Sequence, residues 1–434
     1  MKKTAFIPAF AVVLLLLTAG GCAVETYTCG DYEYCLLEGG TAVITKYTGN
    51  DYILVVPDEL NGCCVTAVGD KTFYGNMSLS AVILPESVTQ IGNEAFSFCS
   101  SLTDITLPDS LKQIESNFFF YCEHLKSFHV SADHPTLEVI DGVLFSKAEK
   151  RLICYPNGKT GAVYRVPDGT QSIGESAFFR CSKLLEVYLP DGVTVLENHA
   201  FELCVGLKTI TVPEGVTSLG DFVFQECRAL ISVTLPDTLT AIGANPFTGC
   251  LRLEKIIAAP DHPTLQVCDG VLFFKPEDRL VFYPKTKTDL SYSVPDGTRI
   301  IDADAFFNNF SLTSVTLPDS LTVIGDSAFG FCGRMRSINL PDRMTTIGRG
   351  AFLACQSLEE ITVPEGVTSI EENTFMGCKK LSSVTLPDSV VYVADSAFSE
   401  CGSLCFVVGQ GSWAEVYCKE NGFDYTYTPV DPVN

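Results

Sequence analysis

Cysteine has the widest range of possible chemistry in this 434-residue chain, because a thiol can bind metal or exchange disulfides. Ten of the 19 cysteines occupy one recurring position, with neighbours mostly 23 residues apart. No Cys-x-x-Cys pair occurs, and side chains that point in parallel do not provide disulfide geometry. We therefore predict a structural row of buried, reduced thiols, each meeting the carbonyl of a turn. The row consists of Cys99, Cys122, Cys181, Cys204, Cys227, Cys250, Cys332, Cys355, Cys378 and Cys401.

Four cysteines outside this row form two candidate disulfides. Cys29 and Cys35 lie close together near the N-terminus, and Cys405 and Cys418 lie near the C-terminus. A disulfide in each pair would stabilise the terminal segment that contains it. The sequence leaves open whether either pair is bonded.

Carboxylates and imidazoles are the other groups that could bind metal. An acidic residue follows each of eleven regularly placed prolines, from Glu86 to Asp388, and its repetition favours a turn role over a cation site. The five histidines lack metal-ligand spacing, and His134 and His262 stand in Asp-His-Pro segments that we interpret as surface turns. Because no catalytic motif is present either, we predict no enzyme activity, no cofactor and no metal.

Irregular side chains within a regular pattern are the better candidates for ligand contact. On the predicted strand face, Glu186, Tyr188 and Asn339 replace residues that are mostly serine or threonine. Bases stand out in two inserted segments of an acidic chain, since loops on a rigid scaffold often carry recognition. These candidates are Lys147, Lys150, Arg151, Lys275 and Arg279.

The overall charge restricts the class of partner. Acidic residues outnumber basic ones 52 to 29, which gives a formal charge of −23. Binding to phosphate backbones or to anionic membrane surfaces requires clustered lysine and arginine, so neither nucleic acid nor a polybasic membrane contact is expected. Hydrophobic content of 46% is sufficient for a large core.

The N-terminus has the features of an export signal. Lys2 and Lys3 precede an apolar run, and small residues lead to Cys22, so residues 1–21 are predicted to be a signal peptide. The Gly-Cys ending resembles the lipobox of bacterial lipoproteins, with Ala19 where that pattern prefers leucine. The resemblance implies lipidation of Cys22; ordinary cleavage and release is the alternative.

The remaining sequence is a repeat, and this repeat must position the candidate residues. The eleven anchor prolines are spaced by 23 residues, with two gaps of 59, and the eleventh residue after each proline is phenylalanine. The segment before each proline alternates apolar and polar residues, as in a half-buried strand. A coil of this length cannot bury its own apolar face, so we predict a right-handed stack of coils whose strands form parallel sheets.

The motif resembles the BspA-like class of bacterial leucine-rich repeats. The segment 317–329, Leu-Pro-Asp-Ser-Leu-Thr-Val-Ile-Gly-Asp-Ser-Ala-Phe, follows that consensus closely, and the match extends over about 57–408. The resemblance implies a β-rich leucine-rich-repeat solenoid with terminal caps. Two segments interrupt it, and each contains two apolar runs around a charged tip, which predicts a β-hairpin island.

The predicted organisation therefore has eight parts. They are a signal peptide (1–21), an N-terminal β cap (22–56), repeats (57–130), a first island (131–166), repeats (167–258), a second island (259–294), repeats (295–408) and a C-terminal cap (409–434), in which Ser412 to Asn421 is predicted to be a short helix.

The resemblance also implies a function. Proteins of this class are associated with adhesion, so we expect a non-enzymatic surface protein, lipid-anchored or secreted, that binds an extracellular protein or glycan. A carbohydrate-capturing lipoprotein and a structural envelope protein are the alternatives. Aromatic clusters on one face would favour carbohydrate capture. The sequence does not identify the ligand.

Overall fold

The computed structural model describes residues 25–111, 114 and 119–429. The predicted signal peptide and the lipidation site Cys22 lie outside the described residues. The chain divides into two compact units. The first contains the chain up to Ala162 together with Gly169–Lys183, and the second contains Val163–Asp168 and the chain from Leu184 onward.

The first unit begins with an antiparallel cap and continues as stacked coils. Strands β1 to β3 pair antiparallel, and β3 then pairs in parallel with β6. A second, entirely parallel sheet has the order β10-β9-β7-β4. The strands in chain order are β1 Thr26–Cys29, β2 Tyr32–Leu36, β3 Ala42–Tyr47, β4 Ile53–Val55, β5 Glu59–Leu60, β6 Cys63–Val68, β7 Ala81–Ile83, β8 Gln90–Ile91, β9 Asp104–Thr106, β10 Ser127–His129, β11 Leu137–Ile140, β12 Val143–Ser146 and β13 Arg151–Cys154, followed after β14 (Val163–Arg165, second unit) by β15 Ser172–Ile173.

The second unit contains most of the parallel sheets. Its first sheet has the order β14-β16-β18-β20-β22, and later coils form β26-β28-β30 and β32-β34-β36-β37. Its elements after β14 are β16 Glu186–Tyr188, β17 Val195–Leu196, β18 Thr209–Thr211, β19 Ser218–Leu219, β20 Ser232–Thr234, β21 Ala241–Ile242, β22 Lys255–Ile257, β23 Leu265–Cys268, β24 Val271–Phe274, a 3-10 helix Lys275–Glu277, β25 Arg279–Phe282, β26 Ser291–Ser293, β27 Ile300–Ile301, β28 Ser314–Thr316, β29 Val323–Ile324, β30 Ser337–Ile338, β31 Thr346–Ile347, β32 Glu360–Thr362, β33 Ser369–Ile370, β34 Ser383–Leu386, β35 Tyr392–Val393, β36 Cys405–Val408, helix α1 Trp413–Asn421 and β37 Asp424–Tyr427.

One 23-residue repeat forms one coil. Thr209 pairs with Ser232, and Ser232 pairs with Lys255, each in parallel register and one repeat apart. The predicted β-rich solenoid of stacked coils with parallel sheets is therefore confirmed. The acidic position after the proline also links coils, because the Glu214 carboxylate accepts the backbone N–H of Asp237 at 3.1 Å.

The core is a row of stacked phenylalanine rings. In the second unit Phe329, Phe352 and Phe375 stack with centroid separations of 5.5 and 5.4 Å. Such pairs contribute about 0.5–1.5 kcal/mol each beyond the burial of their area. At the two islands, Tyr155 and Tyr283 occupy the place of a phenylalanine in this row and stack on Phe178 and Phe306 respectively. The repeat pattern did not predict these tyrosines as core residues.

Gly243 lies at a close approach between successive coils. A Cβ on Gly243 would lie 2.5 Å from the carbonyl carbon of Gly220 and 2.6 Å from the amide nitrogen of Asp221. Real side chains do not tolerate such distances to backbone atoms, so this coil requires glycine at position 243.

Each island is an antiparallel meander. β11 pairs with β12 and β12 with β13 in the first island, and β23, β24 and β25 repeat this arrangement in the second. The third strand of each meander returns to the parallel stack, pairing with β15 and β27 respectively. Each predicted hairpin is thus extended by a strand that reconnects it to the coils.

The last coil carries a short helix. The predicted helix is confirmed over Trp413–Asn421, with the Ser412 hydroxyl accepting the Glu415 N–H as N-cap and Gly422 in the left-handed region at the C-cap. Among the described residues no helix is long and apolar enough to cross a membrane.

Candidate functional site

Two of the predicted contact residues form a cluster on the strand face of the second unit. Glu186 and Tyr188 are the outward residues of β16, and the Tyr188 hydroxyl donates to Glu186 Oε2 at 2.7 Å. This hydrogen bond to a carboxylate raises the pKa of Tyr188. The tyrosine remains 44% exposed, so the pair is fixed in orientation and accessible.

Arg165 completes this cluster and was not among the predicted contacts. Its guanidinium carbon lies 4.0 Å from the centroid of the Tyr188 ring, and β14 pairs with β16 so that Arg165 stands opposite Tyr188. The two residues are one repeat apart, and this spacing is the sequence signal that could have identified Arg165. We call Arg165, Glu186 and Tyr188 the strand-face cluster.

The two sides of the cluster differ: Val163 on β14, opposite Glu186, is 50% exposed, whereas β18 and β20 present polar, uncharged residues. Thr209 and Thr211 are the exposed residues of β18, and Ser232 and Thr234 are the outward residues of β20. Asn339, the third predicted contact, is exposed but follows β30 in a different sheet. It is therefore separate from the strand-face cluster.

Two of the predicted basic contacts in the islands, Lys147 and Lys275, form hydrogen bonds within the protein. Lys147 Nζ donates to the carbonyl oxygen of His134 at 2.6 Å, and Lys275 Nζ donates to that of His262 at the same distance. These two lysines therefore hold the loops of the islands. Lys150, at the turn of the first island, is exposed.

The island arginines are also partnered. Arg279 forms an ion pair with Asp302 at 3.0 Å and donates to the Ile242 carbonyl at 2.9 Å. Burial raises the pKa of Asp302 to about 6, although the guanidinium opposes this shift. Arg151 contacts Glu149 at 3.4 Å. The side chains of both arginines are mostly buried, which indicates a structural contribution from each.

The interpretation of His134 and His262 as surface turn residues is wrong. Each is only 1% exposed. His134 Nδ1 accepts the N–H groups of Thr136 and Leu137, and its Nε2 donates to the Pro108 carbonyl at 3.0 Å. Because the Asp-His-Pro segment folds back onto the preceding coil, the imidazole becomes a buried bridge.

The cysteine row lies in the core. Cys99 Sγ donates to the Phe73 carbonyl at 3.1 Å, and Cys355 and Cys378 make the same contact with phenylalanines 26 residues earlier. Burial raises the pKa of Cys99 to about 12, so its thiol stays protonated. Asn309, which replaces cysteine in one coil, instead accepts the N–H groups of Ser311 and Leu312.

The two candidate disulfides are absent. Cys29 and Cys35 are free, and the β1–β2 register pairs them with Tyr32 and Thr26, at opposite ends of the hairpin. Three residues of strand separate them by about 10 Å, which is too far for a disulfide. Cys405 and Cys418 are also free thiols. In the described part of the chain, no three histidine, cysteine, aspartate or glutamate residues are placed to hold a metal ion.

An aromatic row in the first unit was not predicted. Tyr74, Phe98 and Tyr121 follow one another along the coils, with centroid separations of 5.1 and 4.2 Å. Arg180 lies 4.3 Å from the Tyr121 centroid and Lys71 lies 5.6 Å from that of Tyr74. Tyr74 and Phe98 remain 46% and 37% exposed. Sugars stack on exposed aromatic rings, so this row is the kind of surface that carbohydrate capture would use.

Comparison with known proteins identifies the repeat. A family model described as a BspA-type leucine-rich repeat region matches residues 64–160, 162–267 and 282–417. No curated protein matches the chain.

Solved structures also resemble the chain. A leucine-rich cell surface protein from Faecalibacterium prausnitzii is 29% identical, with a TM-score of 0.53, and the alignment covers 92% of this chain and 98% of that one. A leucine-rich repeat protein from Bacteroides ovatus is 22% identical, with a TM-score of 0.42 and coverages of 94% and 100%. The pneumococcal vaccine antigen PcpA is 18% identical, with a TM-score of 0.49 and coverages of 94% and 100%.

Proposed function

Because the chain belongs to the BspA-type leucine-rich repeat family, we propose that it is a non-enzymatic cell-surface protein that presents its strand face to a protein ligand. The surface location is supported by its similarity to the Faecalibacterium cell surface protein. The proposal includes a lipid anchor at Cys22, which is supported by the sequence of the export signal alone.

The observation that carries the proposal is the strand-face cluster. Tyrosine and arginine are the residue types most enriched among the energetically dominant contacts of protein interfaces. Here the Arg165 guanidinium and the Glu186 carboxylate hold the Tyr188 ring in one orientation, which lowers the entropy lost on binding. The neighbouring serine and threonine hydroxyls provide donors and acceptors around it.

The binding test uses purified protein and a panel of purified extracellular matrix proteins. The double variant Arg165→Ala, Tyr188→Ala should bind its matrix ligand at least about tenfold more weakly than the wild type. Thr316→Ala, at an exposed position of β28 in a different sheet, is the matched control and should change affinity less than about twofold. Equal binding by the double variant and the control would remove the strand-face cluster as the contact.

The location test uses intact-mass analysis of the exported protein. A lipid-anchored protein should carry an acyl modification on Cys22 and fractionate with membranes. Cys22→Ala should release it into the medium. A membrane-bound Cys22→Ala variant, or an unmodified mature N-terminus, would exclude the anchor.

A further inference from the structure

The first strand of the repeat sheet in the first unit has an exposed apolar surface. Ile53 and Val55, the outward residues of β4, are 60% and 65% exposed, and the preceding Tyr52 is 69% exposed. Ile83 stands next to Val55 on β7 and is 41% exposed. β4 covers one flank of Ile83, whereas no strand of the described chain pairs with the other side of β4. Leu54, between the two outward residues, is buried in the core.

The backbone of β4 is also unpaired on this side. Val56 N–H donates to the Ile83 carbonyl at 3.0 Å, and the Tyr52 carbonyl accepts the Ser80 N–H at 2.7 Å. Alternate residues of a parallel strand direct both backbone groups toward the same neighbour. Ile53 and Val55 therefore direct their N–H and C=O groups away from β7. Over residues 25–111, 114 and 119–429, no strand pairs with that side of β4.

Two other terminal strands of these sheets carry charges that discourage pairing. β22 presents exposed Lys255, and β37 presents exposed Asp424. Charged side chains at such positions protect a sheet edge from adding another strand. β4 has aliphatic residues at both outward positions, so its edge lacks this protection.

The charges beside the edge indicate the kind of partner. Asp51 precedes β4, and Asp58 and Glu59 follow it, and all three are exposed. A second copy of this chain would bring the same acidic residues together, on a protein with a formal charge of −23. An apolar strand with basic flanks is complementary to the edge, and a second copy is not.

We propose that β4 binds an extended segment of a partner protein, which adds to the sheet as a strand with alternating apolar residues and flanking lysine or arginine. This inference rests on the proposed surface-binding function and names a binding mode and a partner chemistry for it. Main-chain hydrogen bonds to Ile53 and Val55 supply affinity, and their side chains with Tyr52 contact the apolar residues of the segment.

The experiment measures binding of a synthetic peptide of alternating valine and threonine with lysines at both ends. Val55→Pro removes an outward N–H at an edge, where proline is tolerated, and should weaken binding at least about tenfold. The same peptide methylated on alternate backbone amides should also lose binding, because methylation blocks strand pairing and retains the side chains.

A charge-matched pair of variants checks the surface independently of the proline. Ile53→Lys with Val55→Lys should weaken peptide binding at least about tenfold. Ser314→Lys with Thr316→Lys introduces the same charges on outward positions of β28, whose two edges are both paired, and should change binding less than about twofold. Circular dichroism and thermal melting verify that each variant is folded.

Each outcome decides the proposal. Wild-type affinity in Val55→Pro and in the double lysine variant would overturn it. A wild-type dimer that Val55→Pro converts to monomer in sedimentation would assign the edge to a second copy and would also overturn it. If the wild type binds a matrix protein and Val55→Pro binds it equally well, the edge inference fails while the proposed function stands. If the wild type binds the peptide and no matrix protein, the matrix ligand fails while the edge stands.

Discussion

The two islands share a set of internal hydrogen bonds but differ in the charged residues on the coil that follows each island. Both contain a buried histidine that bridges to the preceding coil, and a lysine that donates to the histidine carbonyl. These residues lie 128 positions apart in the two copies, His134 with Lys147 and His262 with Lys275. The bridge is therefore one feature that both copies retain.

The difference lies on the coil that follows each island. Asp302 pairs with Arg279 in the second island, whereas Gly174 occupies the corresponding position in the first. A Cβ on Gly174 would lie 2.8 Å from Arg151 Nε and 2.8 Å from the Leu152 carbonyl oxygen. Likewise Ser176 stands where the second copy has Asp304. The island fold therefore retains its histidine bridge with different charges on the following coil.

The largest expected effect tests the shared bridge. His134→Ala and His262→Ala should each lower the local free energy of opening by about 3–5 kcal/mol, because two N–H donors and one carbonyl lose their buried partner. Hydrogen exchange of the two islands measures this effect. His124→Ala, which alters an exposed imidazole, is the control and should change exchange little. A loss below about 1 kcal/mol at either island would show that the bridge is not the shared determinant.

The next effect tests the charge pair that only the second island has. Arg279→Met should destabilise this island by about 3 kcal/mol at pH 7, because it leaves the Asp302 carboxylate buried without its cation. The loss should be smaller at pH 5, where Asp302 is largely protonated because its pKa is about 6. Denaturation followed at the two pH values checks both statements. An equal loss at pH 5 and pH 7 would contradict the role assigned to Asp302.

Asp304 predicts a pH dependence confined to the second island. Burial raises its pKa to about 6, while the hydrogen bond from Thr248 and the charge of Lys285 oppose this. A carboxyl group with a raised folded pKa binds more protons in the folded state, so its contribution to stability decreases as pH rises from about 4 to above 6.

The expected decrease for Asp304 is about 2 kcal/mol, and Asp304→Asn should remove it. Hydrogen exchange at pH 4.5 and pH 7, corrected for intrinsic rates, measures the difference between wild type and variant. The first island, with Ser176 at this position, provides the internal control. The assignment fails if the variant keeps the wild-type difference.

The smallest effect distinguishes two lysines of the first island. Lys147→Met should cost about 1 kcal/mol, since it removes a hydrogen bond from a charged donor to the His134 carbonyl. Lys150→Met, at the exposed turn, should stay within about 0.5 kcal/mol. Chemical denaturation resolves the two. A similar loss in both variants would mean that charge, and not the specific hydrogen bond, stabilises the loop.

The repeat in the sequence was sufficient to predict the fold. Phenylalanine, leucine and proline recur with a period of 23 residues, and each recurrence becomes a position in one coil of the stack. The helix Trp413–Asn421 was predictable because Ser412 and Gly422 mark its ends. The candidate site was only partly predictable. Glu186 and Tyr188 were identified as departures from their columns, whereas Arg165 requires comparison with the neighbouring coil.

Tertiary structure decided which side chains are covered by other parts of the chain and which are exposed. Nothing in an Asp-His-Pro segment distinguishes an exposed turn from one that folds back, so the burial of His134 follows only from the path of the island. The exposure of Ile53 and Val55 likewise depends on β4 being the last strand of its sheet, since the same alternation within the stack has a neighbour on each side. The 23-residue period determines which residues are neighbours on successive coils. The ends of the stack and the inserted islands determine which of these residues are exposed to solvent.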